Sequence, residues 1–132
     1  MKIFWPVALA LCAVSQAGWA GDADIDQGYP HKESAEASVY RGSIVYQNYC
    51  VTCHGVNADG KGRAAKLYDP KPANLRVSPY NDQYKELIIR GGGERVGRSK
   101  FMPPWGQELT DEQITDVVSF LRSINLSAAK DQ

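Results

Sequence analysis

Apolar residues recur at helical intervals in three separate stretches of the chain, and between those stretches glycine and proline take over. In the first, Val39, Gly42, Tyr46 and Tyr49 fall at steps of three, four and three, which places them on one helical face. A glycine inside a helix costs about 0.5–1 kcal/mol relative to alanine. Close passage of another helix, near Val117 and Phe120, is the expected reason for Gly42. A second helix is predicted from about Asn81 to Arg90, with Tyr84, Leu87 and Ile88 inward and Gly91 as its stop. In the third stretch Thr110 is an N-cap and Gln113 completes a capping box. Ile114, Val117, Val118, Leu121 and Ile124 then form one apolar stripe.

Residues 55–79 hold Gly55, Gly60, Gly62, Pro70, Pro72 and Pro79 and read as a long loop, with one helical turn near Ala64–Leu67. Residues 91–109 form another loop. No strand-like alternation competes, so the fold class is all-α: three main helices and long loops. Three helices bury too little apolar surface to stand alone at this size, so something other than protein is expected to fill the middle.

The ends of the chain follow other rules. Lys2, an apolar run from Ile3 to Val14 broken by Pro6, and Gly18-Trp19-Ala20 have the layout of a secretory signal peptide, residues 1–20. The uninterrupted run is shorter than the roughly 20 residues a membrane-spanning helix needs. Cys12 follows Leu11, not the small residue a lipoprotein signal places there. Residues 21–36 carry Asp22, Asp24, Asp26, Glu33 and Glu36 against Lys32 alone and read as an acidic, flexible arm, leaving 37–132 as the folded domain.

Charge changes the picture only through its distribution. The chain has 15 basic and 15 acidic side chains, yet residues 60–100 hold ten basic against four acidic ones. That region is either a solvated face or a docking surface. No nucleic-acid partner and no stable membrane insertion are expected. Beyond the leader only two cysteines remain, and they sit in Cys50-Val51-Thr52-Cys53-His54.

This C-x-x-C-H run is the attachment signature of c-type haem. Residues three apart on a helical turn share a face, so both thiols can add to vinyl groups along one porphyrin edge while His54 reaches iron. A thioredoxin-like dithiol uses the same C-x-x-C but expects an alternating β/α pattern, which is missing. A zinc site needs four ligands, and the chain offers these two cysteines, His54 and the distant His31. Export agrees with haem, which bacteria attach after translocation.

In order along the chain, Gly42 and Tyr46, Cys50–His54, Asp59-Gly60-Lys61-Gly62, Pro72-Ala73-Asn74-Leu75, Gly91-Gly92, Phe101-Met102-Pro103-Pro104-Trp105 and the Thr110–Ile124 helix resemble a class I bacterial cytochrome c. The likeness covers about residues 38–125 and implies the class I fold wrapped around one covalent haem c. It implies a periplasmic carrier of single electrons between larger redox proteins, and not an enzyme. A haem subunit bound permanently to a dehydrogenase or oxidase is the alternative, and a ligand-binding or peroxidase-like haem protein a further one.

The resemblance makes Met102 the second axial ligand, opposite His54. Met102 is also the only methionine besides Met1, and prolines follow it in its loop. The competing role is gap-filling in the core. His31, in the polar arm, is expected to be a surface residue. A metal-bound histidine donates its other ring N–H to a carboxylate or carbonyl; in the family a proline carbonyl accepts it. Pro72 is the expected acceptor here, with Pro70 in reserve, although Ala73 intervenes before Asn74. Trp105 either lines the haem or simply packs.

Overall fold

The computed structural model describes residues 33–126. The leader with Cys12, the arm up to Lys32 and His31 lie outside the described residues, as do residues 127–132. The described chain is all-helical: α1 (Ala35–Tyr49), α2 (Val51–His54), α3 (Asp82–Arg95) and α4 (Asp111–Ser123), with two 3₁₀ turns at Ala65–Leu67 and Leu75–Val77. Among the described residues no helix is long and apolar enough to cross a membrane.

Helix α1 starts at Ala35, inside the stretch assigned to the arm, because Ser34 caps it: its hydroxyl accepts from the Ala37 amide at 3.1 Å. Helix α4 begins as expected. The Thr110 hydroxyl accepts from the Gln113 amide at 3.2 Å, and the Gln113 side chain accepts from the Thr110 amide at 2.9 Å. Both caps satisfy amides that a helix start leaves without partners.

The core lies where α1 crosses α4. Tyr46, Ile114, Val117 and Val118 are buried there, and the Tyr46 and Phe120 rings sit 5.3 Å apart. Gly42 makes the crossing possible. A Cβ on it would stand 1.9 Å from the Asp116 carbonyl oxygen and 2.9 Å from the Val117 nitrogen. Backbone meets backbone, so no side chain can be admitted. Beside this contact the buried Asp116 carboxylate accepts from Ser38 Oγ at 2.7 Å and from Arg41 Nε at 2.7 Å. A buried carboxylate is costly unless hydrogen-bonded, so these partners fix where α1 lies along α4.

Helix α3 departs from expectation in two ways. It buries Lys85 and Ile89, with Lys85 Nζ 3.1 Å from Asp82, whereas Leu87 faces outward. It also runs past Gly91, and its break comes one residue later, at Gly92, where φ is +77°. The reason lies in the loop beyond. Ile89 O and Arg90 O, the acceptors that residues 93 and 94 would use in an unbroken helix, accept from Trp105 N at 2.8 Å and Gly106 N at 3.2 Å. The Gly93 amide donates instead to Met102 O at 2.9 Å. Helix and loop share one ladder of hydrogen bonds.

Candidate functional site

Cys50 is the residue on which α1 ends, and its amide still donates to Tyr46 O at 2.9 Å. The chain then turns once more as α2, with Cys53 N and His54 N both donating to Cys50 O, at 3.2 and 2.9 Å. The C-x-x-C-H run is therefore a single helical turn, as its spacing requires. Cys50 and Cys53 are free thiols, each half-buried. Burial, and then the neighbouring Cys53, push the Cys50 thiol up to about 12. A redox dithiol needs the opposite shift, toward thiolate.

The loop that follows closes over this turn. Gly60 N donates to His54 O at 2.8 Å, Gly62 N to Cys53 O at 3.1 Å and Ala64 N to Thr52 O at 3.0 Å. These bonds satisfy the carbonyls that the end of a helix leaves free. Gly62 must be glycine because a Cβ there would lie 2.3 Å from Thr52 O. On the other side the buried Tyr46 hydroxyl donates to Gly55 O at 2.6 Å, and burial keeps it protonated by raising its pKa.

The His54 ring is placed by a carbonyl, but not the expected one. Its Nδ1 lies 3.1 Å from Ala73 O, so Ala73 takes the place assigned to Pro72. The Pro72 carbonyl turns instead toward Gly60, where a Cβ would meet it at 2.4 Å. The frame is set by Asn74, whose side chain caps the second 3₁₀ turn by accepting from Arg76 N at 3.0 Å. The residue directly before that cap supplies the carbonyl, whatever its side chain. Burial lowers the basicity of His54, the Ala73 carbonyl partly opposing it. A neutral ring donating through Nδ1 keeps the Nε2 lone pair for a metal.

Met102 is half-buried and packs on the main core, as do Cys50 and Trp105. Aromatic contacts tie its loop to the motif from both sides. Trp105 meets Tyr49 edge to face at 5.4 Å, and Phe101 meets Tyr68 at 5.1 Å. Trp105 thus packs its ring against α1. Gly93 makes room for the Met102 loop: a Cβ on it would come within 2.2 Å of Ser99 O and 3.1 Å of Met102 Cβ. The Gly91–Gly93 run was the sequence signal for this contact; the hydroxyl bond of Tyr46 had none.

The donor set fits haem c. Two free thiols share one helical turn, a neutral imidazole follows with one nitrogen already engaged, and a thioether sits in a braced loop on the same core. Among the described residues no cluster of three or more His, Cys, Asp or Glu is placed to hold a metal ion. The basic region divides. Lys85, Arg90 and Arg98 are engaged with Asp82, Asp111 and the Tyr80–Tyr84 pair, whereas Lys61, Arg63, Lys66, Lys71 and Lys100 are exposed.

A family model described as cytochrome c matches residues 39–125. Among solved structures, the reducing HAO-like protein complex of Kuenenia stuttgartiensis is similar, with a TM-score of 0.57 and 29% identity. The match covers 70% of this chain and 44% of that one, so this chain spans less than half of its neighbour. No curated protein matches the chain.

Proposed function

The chain belongs to the cytochrome c family and binds covalently attached haem c, and on that premise we propose that it is a periplasmic carrier of single electrons between larger redox proteins. The observation that carries the reading is the helical turn Cys50–His54, with two free thiols and an imidazole whose Nδ1 is already committed to Ala73 O. Haem c, when bound, supplies an iron that gains and loses one electron while keeping its ligands. The protein's part is to hold and shield. Cys50 and Cys53 would anchor the haem, and His54 would bind its iron, its tautomer fixed by the Ala73 carbonyl. Met102, presented by the loop spliced onto α3, would be the second iron ligand. With both residues bound to iron no position would remain for a substrate, which favours a carrier over an enzyme.

A second reading, a haem subunit inside a larger redox complex, draws on the likeness to the HAO-like protein complex, whose matched chain extends well beyond this one. Gel filtration of the native extract separates the two, because a free carrier elutes alone.

The ligand assignment is tested by Met102→Ala. Oxidised wild type should show the weak far-red iron–sulfur band. The variant should lose it, bind carbon monoxide readily when ferrous, and have a lower reduction potential, since a soft neutral ligand favours ferrous iron. Replacing His31 should change none of these. A wild type without the band, in which His31→Ala moves the potential, would make the haem bis-histidine. Intact mass of protein matured with a haem-attachment system should equal the chain plus one haem.

A further inference from the structure

The acceptor for the His54 ring is a backbone carbonyl on an exposed residue in a stretch without regular structure, so something else must hold it still. Part of the support comes from the loop after the motif. Leu75 N donates to Ala58 O at 2.8 Å, and Gly60 backs directly onto the Pro72 carbonyl. This grips residues 72–75 from one side.

The other grip comes from the far end of the domain. As the chain leaves α4, Leu126 N donates to Arg76 O at 2.7 Å, and Asn125 Nδ2 donates to Ser78 O at 2.8 Å. Asn125 is buried, one of few polar side chains that are. The 3₁₀ turn Leu75–Val77 is thus clamped between the motif loop and the exit of the last helix, and Ala73 sits immediately before its cap.

We infer that Asn125 is a positioning residue for the axial histidine: through Ser78 and the 3₁₀ turn Leu75–Val77 it holds the Ala73 carbonyl against His54 Nδ1, and so tunes the reduction potential. The inference rests on His54 serving as an iron ligand. The direction follows from the bond itself. A carbonyl accepting the Nδ1 proton makes the ring a stronger donor to the metal, which favours ferric iron. Loosening that carbonyl should raise the potential.

The experiment uses the full-length holoprotein with Asn125→Leu, which keeps the size and adds no charge but removes the side-chain donor, and Asn125→Ser, which keeps a shorter one. Thr110→Ala is the control, weakening the same helix from its opposite end. Three quantities are read: reduction potential, the hyperfine-shifted ring signals of the ligand histidine by NMR, and the unfolding midpoint. Asn125→Leu should raise the potential and displace the ring signals, with Asn125→Ser moving both less. Thr110→Ala should lower the midpoint and leave the other two at wild-type values. If the Asn125 variants lower only the midpoint, Asn125 is plain scaffolding and the proposal is overturned. Absence of ligand-histidine signals from the wild type itself would instead overturn the ligand assignment beneath it.

Discussion

The α1–α4 crossing and the loop that carries Met102 solve the same problem, a close approach of backbone to backbone, by different means. At the crossing two regular helices meet at Gly42, and the contact is framed by a buried apolar cluster and by Asp116 with its hydroxyl and guanidinium partners. At the loop the chain meets α3 at Gly92 and Gly93, and the contact at these glycines is framed by amide-to-carbonyl bonds. The first depends on side chains and is general to the fold. The second relies more on backbone bonds and holds Met102 in place. Stability and site geometry are therefore separable here, and substitutions can show it.

The matched pair Gly42→Ala and Gly93→Ala tests the separation most severely. On a free helix face either change would gain stability. At Gly42 the new methyl would overlap the Asp116 carbonyl, so unfolding free energy should fall by at least the 1–3 kcal/mol or so typical of overpacking. Failure to mature with haem should follow. Gly93→Ala should cost less, about 1–2 kcal/mol, because a loop yields more readily than a helix. Its larger effect should be spectroscopic, a weakened far-red band. Equal losses of stability with an intact band in both would erase the distinction.

Asp116→Ala comes next. It removes the acceptor from Ser38 and Arg41, but Arg41 keeps access to water, so the cost should be about 1–3 kcal/mol. The reduction potential should stay at its wild-type value, which equilibrium unfolding and redox titration together would check. Thr110→Ala should cost about 1 kcal/mol through loss of the cap, again without a change of potential. The smallest effect on stability, near zero, is expected from salt. Raising ionic strength until the Debye length falls from about 10 Å to 3 Å should leave unfolding unchanged but slow electron exchange with an acidic partner. A rate indifferent to salt would make Lys61, Arg63 and Lys66 a solvated face.

The same division explains what the sequence disclosed. Gly42, the capping box of α4 and the single turn of Cys50–His54 were legible because each rests on side-chain type at a fixed interval. The helical turn expected near Ala64–Leu67 is present as the 3₁₀ turn Ala65–Leu67. Ala73 was not, because a carbonyl acceptor has no side-chain signature and proline drew attention one residue too early. The phase of α3 was misread for a related reason. Leu87 looked like a core residue and Lys85 did not, yet pairing with Asp82 lets the lysine lie inward. The break at Gly92 rather than Gly91 was decided by the partners its neighbours find in the Met102 loop.

That sharing of partners has a consequence for motion. Gly93, Trp105 and Gly106 donate across the junction between α3 and the loop, so the loop cannot lift away without uncapping the helix end that holds it. The two should open as one cooperative unit. In native-state hydrogen exchange these three amides should share a single opening free energy, below that of the α1–α4 amides. A fold built this way would have an intermediate level of local unfolding in which the Met102 loop opens while the Cys50–His54 turn and the main core stay in place.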